Sequence, residues 1–278
     1  MTEKLLPFPA HIYDPQRIQL ATTLLEKELR KLFLGLPSVA WSVIDNSIRG
    51  WAERPLDYHL ESEQLRDFWD AFAAVMEGIK LKPNFVAWVT AENMSWQKMT
   101  LQLQTIRLTS PLQQLQKVPG LNLSNDISVA DVSTLLADNP KAKTEQRTLV
   151  DQHSSDPSQD TYPIIVRKVA ANTYKIMDGN RRTLKALLYD QEKIEAWVGE
   201  MSDEHPVNYW VPIHDMYKLV KMYQTAGEAA DSQTQAAIAR SLWWQFQASK
   251  VAELAYLNRV ADETEAARQL YNATQRPT

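Results

Sequence analysis

The chain has 278 residues, a formal net charge of −4 at pH 7 and no cysteine. This length allows one large or two modest domains with a buried core. The absence of cysteine excludes disulfides, thiolate metal sites and a cysteine nucleophile, and the charge means that any contact with nucleic acid must come from a local basic patch. No apolar run reaches about 18 residues and the N-terminus lacks a signal-peptide pattern, so we expect a cytoplasmic protein without a membrane partner.

Residues 1–115 are expected to form a helical N-terminal region. The three prolines among residues 1–15 favour an extended arm. Apolar residues at three- and four-residue steps predict helices over residues 16–34, 38–52 and 60–80. Residues 85–90 suit a strand or a helix, and residues 94–105 are ambiguous. Five tryptophans share stripes with other apolar residues, which indicates core packing rather than a platform for unpaired bases: Trp41, Trp51, Trp69, Trp88 and Trp96.

Residues 110–125 contain prolines, a glycine and several glutamines, which predicts a boundary before a second domain over residues 120–213. Directly after this boundary, residues 127–129 predict a short strand and residues 131–137 a short helical turn. The charged stretch NPKAKTEQR at residues 139–147 follows. Lys141, Lys143 and Arg147 in this stretch could supply local positive charge, and the alternative interpretation is a solvated linker rich in charge.

Residues 162–200 carry the pattern of a strand, a glycine turn and a helix. A proline begins a β-branched run over residues 164–166, and a second run over residues 173–177 follows a turn, so the two predict a hairpin. The pentapeptide Asp-Gly-Asn-Arg-Arg at residues 178–182, called the DGNRR turn below, comes next. Leucines on helical spacing and a later apolar run predict a helix and a further strand, over residues 183–189 and 194–198.

The DGNRR turn has the chemistry of an anion site. The first N–H groups of a helix lack intrahelical partners, and the helix dipole places partial positive charge at that end. Glycine lets the backbone approach a ligand closely, and arginine supplies planar, permanently charged donors for phosphate oxygens. The alternative is an ordinary helix entry in which Asp178 is the N-cap and both arginines are solvated. The candidate phosphate-binding residues are Gly179, Asn180, Arg181, Arg182 and Thr183.

This region resembles the ParB/sulfiredoxin-like superfamily in three segments: Pro163 to Val166, Tyr174 to Met177, and the DGNRR turn with Ala186 in the following helix. The resemblance covers residues 162–200 and extends upstream to about residue 127. It implies an α+β fold, with a small mixed-sheet domain flanked by helical N- and C-terminal regions. It also implies that the turn holds the phosphates of a nucleotide, so the expected cofactor is a nucleoside triphosphate with Mg²⁺.

The resemblance implies roles for further residues. Members of the superfamily place a loop with proline and arginine beside the nucleotide, and residues 139–147 match its position, so Arg147 is expected to contact phosphate. Free-serine kinases of the superfamily use an upstream glutamate, for which Glu145 is the candidate, together with the aspartate of the turn. The expected catalytic residues are therefore Asp178 and Glu145, and the expected metal ligand is Asp178.

Two departures from the family pattern limit what carries over. Sulfiredoxin chemistry is excluded, because Asn180 lies in the loop that carries its catalytic cysteine. Asn180 and Arg181 also stand where free-serine kinases have two histidines, which weakens the case for kinase activity.

The C-terminal extension, residues 214–278, is expected to be helical. Just before it, residues 209–213 predict one more strand, and helical patterns cover residues 214–225 and 232–274. The last pattern lacks the glycine turn and basic recognition helix of a helix-turn-helix reader, so we expect helices that pack back on the protein or form a homo-oligomer. The five histidines show no paired spacing of metal ligands, so no zinc site is predicted.

The function that these residues predict best is a nucleotide-binding enzyme of phosphate chemistry: an NTPase, a nuclease or a kinase-like phosphotransferase. Two alternatives stay open. A nucleotide-switched module would bind DNA without turnover. A scaffold with a vestigial site would bind neither nucleotide nor DNA.

Overall fold

The computed structural model describes residues 8–32, 62–78, 83–109, 126–152 and 162–275. The chain divides into two compact units, one of residues 1–94 and 203–278 and the other of residues 95–202. The helix predicted over residues 38–52 and the boundary predicted over residues 110–125 lie outside the described residues. Within the described ranges, no helix combines the length and apolar character needed to cross a membrane.

The described elements follow one another from an N-terminal 3-10 turn to a C-terminal group of helices. In chain order they are a 3-10 turn Ala10–Tyr13, α1 Pro15–Leu32, α2 Ser62–Gly78, α3 Pro83–Thr90, β1 Met94–Gln102, a 3-10 turn Leu103–Thr105, β2 Ile106–Leu108, β3 Ile127–Ser128, α4 Val129–Ala137, α5 Pro140–Gln152, β4 Ile164–Ala170, β5 Thr173–Asp178, α6 Asn180–Leu188, β6 Lys193–Met201, α7 Ile213–Glu228, α8 Ser232–Ala248, α9 Lys250–Arg259 and α10 Glu265–Thr274.

The secondary structure described in the first unit is almost entirely helical. Helices α1 and α2 confirm the first and third helices that apolar spacing predicts. Each buries one stripe, including Leu20 and Leu24 on α1 and Trp69, Phe72 and Met76 on α2. The Trp69 and Phe72 rings meet edge to face with centroids 5.7 Å apart, which is a favourable aromatic geometry.

The tryptophans of the N-terminal half bear out core packing where the structure describes them. Trp69 and Trp96 are buried, and Trp88 is half-buried. Trp41 and Trp51 lie outside the described residues. A platform of exposed tryptophans for unpaired bases is therefore not formed by the described members of this set.

The predicted extended arm is wrong for residues 8–13, which pack into the first unit. Ile12 is fully buried in a 3-10 turn, and its carbonyl oxygen accepts a hydrogen bond of 3.2 Å from Trp69 Nε1. The Phe8 ring lies 5.1 Å from the Trp210 ring. Burial of these apolar side chains outweighs the tendency of the prolines to keep the segment extended.

The strand predicted over residues 209–213 is also wrong. Residues 209–212 have no regular structure, and α7 begins at Ile213 behind Pro212. The amide of Trp210 donates to the side-chain oxygen of Thr90 at 2.8 Å instead of joining a sheet. Two segments upstream have a sequence that does not decide between helix and strand. Of these, residues 85–90 are helical in α3, and residues 94–102 form β1.

The C-terminal helices α8, α9 and α10 confirm the helical pattern over residues 232–274. Ser249 and Thr264 divide the pattern into three helices, because each side-chain oxygen accepts a hydrogen bond of 3.1 Å from the amide three residues later. A homo-oligomer through these helices stays a prediction, for which Trp244 on α8, 60% exposed, is a candidate contact.

The second unit contains a six-stranded mixed sheet in the order β1-β6-β4-β5-β2-β3. Strands β4 and β5 form the predicted antiparallel hairpin, whereas β4 with β6 and β2 with β5 run parallel. Strands β1 and β2 come from the range 1–115, where the apolar pattern predicts a helical region. The expected α+β class is confirmed at the level of a mixed sheet with flanking helices.

Helices α4, α5 and α6 cover one face of this sheet. Alternate residues of the strands point to that face, since side chains in a strand alternate in direction. The core that they form with the helices contains Val132, Leu136, Val150, Ile164, Val166, Ile176, Leu184, Leu188, Ala196 and Val198. This packing fixes α6 against the sheet, and with it the DGNRR turn at the C-terminal end of β5.

Candidate phosphate-binding site

Strand β5 passes into helix α6 through Gly179. Its φ of +110° is in the left-handed region, and a Cβ there would lie 2.6 Å from Ile164 Cγ2, so only glycine fits. Gly179 is the N-cap and gives the helix no side-chain cap, so the alternative in which Asp178 is the N-cap is wrong. The first intrahelical hydrogen bond runs from Thr183 N to Gly179 O at 2.9 Å. The N–H groups before Thr183 therefore have no acceptor inside the helix.

Arg182 turns inward and holds the turn together. Its side chain is 10% exposed. Nη2 donates to Asp178 Oδ2 at 2.8 Å, and Nη1 donates to the carbonyl oxygens of Pro163, at 2.7 Å, and of Tyr162. One guanidinium therefore joins the start of β4 to the end of β5, and its donors face protein oxygens rather than an external phosphate.

Asp178 is the acidic partner of this guanidinium. Its side chain is 17% exposed and forms an ion pair with Arg182 four residues later. The ion pair orients the guanidinium, because hydrogen bonds between charged groups are stronger than neutral ones. Asp178 thus has a structural task in this geometry, and its catalytic and metal-binding roles stay predictions.

Asn180 and Thr183 bind backbone groups of their own surroundings. The Thr183 hydroxyl donates to Gly179 O at 3.1 Å, and the side chain is buried. Asn180 Oδ1 lies 3.4 Å from the amide of Thr109, just beyond β2, and accepts its hydrogen bond. Both side chains stabilise the entry to α6 from the inside.

Arg181 differs from Arg182 in its exposure to solvent and in its hydrogen-bond partners. Its side chain is exposed, and within the described ranges it makes no hydrogen bond or ion pair. It occupies the second position of α6, next to the N–H groups that lack an intrahelical acceptor. Of the residues predicted to bind phosphate, Arg181 is therefore the one whose charged donors face solvent at the positive end of the helix.

Residues 139–147 belong to a helix rather than to the loop that the resemblance implies. Asn139 Oδ1 accepts from the amide of Ala142 at 3.2 Å, and Pro140 opens α5. Asparagine at the N-cap and proline at the first position are a strong start signal for a helix, which explains the difference. Glu145 is exposed on α5, and no hydrogen bond among the described residues joins it to Asp178.

Arg147 contacts the other end of α6. Its Nε donates to Leu188 O at 2.6 Å, and Nη2 lies 3.1 Å from Asp190 Oδ2. Lys143 also binds Asp190, and its hydrogen bond holds the pKa of that carboxyl below its ordinary value. The nine residues of α6, at a rise of about 1.5 Å each, place this end about 12 Å from the DGNRR turn. The structure therefore does not bring Arg147 to the candidate site.

Arg147→Ala is expected to weaken the second unit without changing ligand binding. The substitution removes a hydrogen bond to a C-terminal carbonyl of α6, and we expect the free energy of unfolding to fall by about 1 kcal/mol, since the side chain is partly exposed. Hydrogen exchange of the α6 amides measures the loss, and nucleotide titration checks that affinity is unchanged. A large loss of affinity would instead place Arg147 in the site.

The hydrogen-bond acceptors of the Arg182 guanidinium cannot be predicted from the sequence. They are the backbone oxygens of Tyr162 and Pro163, and every residue carries such an oxygen, so no side-chain pattern marks them. The nearest available signal is the proline before β4, which predicts the strand but not the arginine that binds its first carbonyls.

Comparisons of the chain with protein-family models, with curated proteins and with solved structures gave no significant match.

Proposed function

We propose that residues 95–202 form a ParB/sulfiredoxin-like domain that binds the phosphate groups of a nucleotide at the N-terminus of α6. The observation that carries the proposal is the exposed Arg181 at a helix start that has no side-chain cap and is entered through a left-handed glycine. Backbone N–H groups without an acceptor inside the helix, the positive end of the helix dipole and a solvent-exposed guanidinium all belong to this helix start. The order of hairpin, glycine turn and helix supports the family assignment.

The proposal gives the two arginines different tasks. Arg181 and the N–H groups of Asn180 and Arg181 bind phosphate oxygens. Arg182 and Asp178 hold the turn in shape through their ion pair of 2.8 Å. Mg²⁺ enters with the nucleotide, because this ion keeps several waters and binds through substrate phosphates and one or two carboxylates. To position that ion, the Asp178 carboxylate would have to contact Mg²⁺ and Arg182 at the same time.

The proposed activity is an enzyme of phosphate chemistry, which includes an NTPase, a nuclease and a kinase-like phosphotransferase, without a choice among these three reactions. A phosphoryl transfer enzyme needs a carboxylate that orients or deprotonates the attacking oxygen. Asp178 is in the turn itself, whereas Glu145 lies on α5, whose Arg147 contacts the opposite end of α6. Asp178 is therefore the stronger candidate for this role, and turnover should disappear in Asp178→Asn, which keeps a hydrogen-bond acceptor for Arg182.

Calorimetric titration of ATP, CTP, GTP and ADP, each with and without Mg²⁺, tests the binding step. We expect Arg181→Ala to weaken nucleotide affinity about tenfold or more, because hydrogen bonds between charged groups contribute about 1.5–3 kcal/mol and tenfold corresponds to about 1.4 kcal/mol. Lys141→Ala is the matched control, since it removes the same charge from an exposed position on α5. Equal losses in both variants would indicate a diffuse charge effect and not a site.

A wild-type protein that binds none of these nucleotides would contradict the proposal. Binding of DNA with a steep salt dependence, lost in Arg181→Ala and independent of nucleotide, would point to a DNA-binding module. Binding of neither ligand would leave the scaffold.

A further inference from the structure

A second group of ionisable side chains meets in the first unit, separate from the residues of the DGNRR turn. Glu77 lies near the end of α2, and His214 and Asp215 lie in the first turn of α7. One donor atom from each lies within 4.8 Å of the others. His214 Nε2 is 3.5 Å from Asp215 Oδ1 and 3.7 Å from Glu77 Oε2. We call these three residues the Glu77 cluster.

The two imidazole distances in the Glu77 cluster fit ligands of one ion better than hydrogen bonds, whereas the carboxyl groups of Glu77 and Asp215 are hydrogen-bonded to each other. A hydrogen bond from an imidazole N–H to an oxygen spans about 2.7–3.2 Å, which is shorter than both imidazole distances. Two ligand atoms that each lie about 2.1 Å from a tetrahedral ion are about 3.4 Å apart. The imidazole nitrogen and the two carboxylate oxygens thus surround a point at which a small cation could contact all three.

The electrostatics of the cluster also favour a cation. The Glu77 side chain is 16% exposed, and its carboxyl group lies beside that of Asp215. Lys218 Nζ binds Asp215 Oδ1 at 2.8 Å and offsets part of the negative charge on the exposed side. Beside this ammonium, one imidazole nitrogen and one oxygen from each of two carboxyl groups lie within 4.8 Å of one another, and a divalent ion would bind all three.

We propose that Glu77, His214 and Asp215 bind a divalent transition-metal ion of the Zn²⁺ class. The donor set of one imidazole and two carboxylates suits such ions, whereas Mg²⁺ and Ca²⁺ prefer oxygen ligands alone and more of them. Three protein ligands leave a fourth position open to water or to a substrate oxygen. The bound ion would join the end of α2 to the start of α7 and so stabilise the first unit.

The Glu77 cluster shares no residue with the DGNRR turn, and a metal ion bound there would overturn the expectation of no zinc site. The spacing of histidines in the sequence does not reveal the cluster, because it contains a single histidine and its glutamate, Glu77, is far from His214 in the chain. Folding brings them together because the end of α2 lies beside the start of α7 within one unit.

Titration of Zn²⁺ into the full chain, freed of metal by a chelator, tests the proposal. We expect one ion per chain with micromolar or tighter affinity, measured by competition with a chromophoric chelator. A saturating Zn²⁺ concentration should raise the midpoint of thermal unfolding by about 5 °C or more. Mg²⁺ at the same concentration should leave that midpoint unchanged.

Two substitutions and one control locate the ion. His214→Ala and Glu77→Gln should each weaken Zn²⁺ binding at least about tenfold and remove the thermal shift. His205→Ala, which deletes an exposed histidine of the same unit, should bind like the wild type. Circular dichroism of the metal-free proteins checks that the variants fold, and His214 is 42% exposed, so its removal leaves the core intact. Unchanged affinity in both cluster variants, or no saturable binding by the wild type, would overturn the proposal.

Discussion

Gly179→Ala is expected to lower the free energy of unfolding of the second unit by about 2–4 kcal/mol. The left-handed φ of +110° is unfavourable for alanine, and the new Cβ would lie 2.6 Å from Ile164 Cγ2 and 2.9 Å from Ile164 Cβ. Ile164 is fully buried in the sheet and has no space into which to move. Hydrogen exchange of the β4, β5 and α6 amides measures the loss locally.

Gly227→Ala is the matched control for this substitution. Gly227 lies in α7 without a left-handed φ, and a Cβ there would approach only the Gln235 amide, at 2.6 Å. The end of a flexible side chain can move aside, and alanine restricts the unfolded chain, so we expect a change within about 1 kcal/mol. Equal destabilisation by the two substitutions would show that the close approach to Ile164 is not what makes Gly179 necessary.

Arg182→Ala is expected to destabilise the second unit by about 2–4 kcal/mol, whereas Arg181→Ala should change its stability by less than about 0.5 kcal/mol. Removal of the inward guanidinium leaves the Asp178 carboxylate and the oxygens of Tyr162 and Pro163 without this donor in a region that is largely shielded from water. Removal of the exposed neighbour leaves no buried group unpaired. Urea unfolding, followed by hydrogen exchange over residues 162–188, compares the two variants.

Arg182→Lys separates charge from geometry in the same experiment. Lysine keeps the positive charge, but its single ammonium cannot reach three acceptors in the planar arrangement that the guanidinium uses. We expect it to recover less than half of the stability lost in Arg182→Ala. If both arginines affected stability equally, or if Arg182→Ala affected only ligand binding, the division of tasks between them would be wrong.

The hairpin and the helix that follows it were predictable because their signals are local. The β-branched run before the turn and the later apolar run mark β4 and β5, and Asn172 takes the positive φ of 55° that a tight turn needs. Gly179 then marks the passage into α6. These features depend on residues within a few positions of one another, so a single sequence contains them.

The rest of the sheet was not predictable from local pattern. Strand β2 has three residues and lies between β5 and β3, which come from distant parts of the chain. Strand β1 lies at the edge of the sheet and exposes most of its middle residues, so it lacks a regular apolar alternation. Both strands form because they pair with segments that are remote in the chain, and the local sequence does not reveal this pairing.

At the candidate site, too, local features are predictable from the sequence, whereas contacts between remote segments are not. The sequence predicts the turn between β5 and α6 but does not distinguish its two arginines, because adjacent arginines have the same chemistry. Their environments differ only after folding, when Arg182 meets the backbone oxygens at the start of β4 and Arg181 stays in solvent. Arg147 was assigned to the site from its place in the chain, and the N-cap at Asn139 directs it into a helix that reaches the opposite end of α6.

The most direct test of the central claim is a titration of the ¹⁵N-labelled full chain with pyrophosphate and then with ATP, followed by amide and arginine Nε NMR signals. We expect saturable shifts at the amides of Asn180 and Arg181 and at Arg181 Nε, with smaller changes at Leu188 and Arg147. That pattern would place a phosphate at the N-terminus of α6. Saturable shifts centred elsewhere in the chain, or none at the DGNRR turn, would contradict the assignment of this turn as a phosphate site.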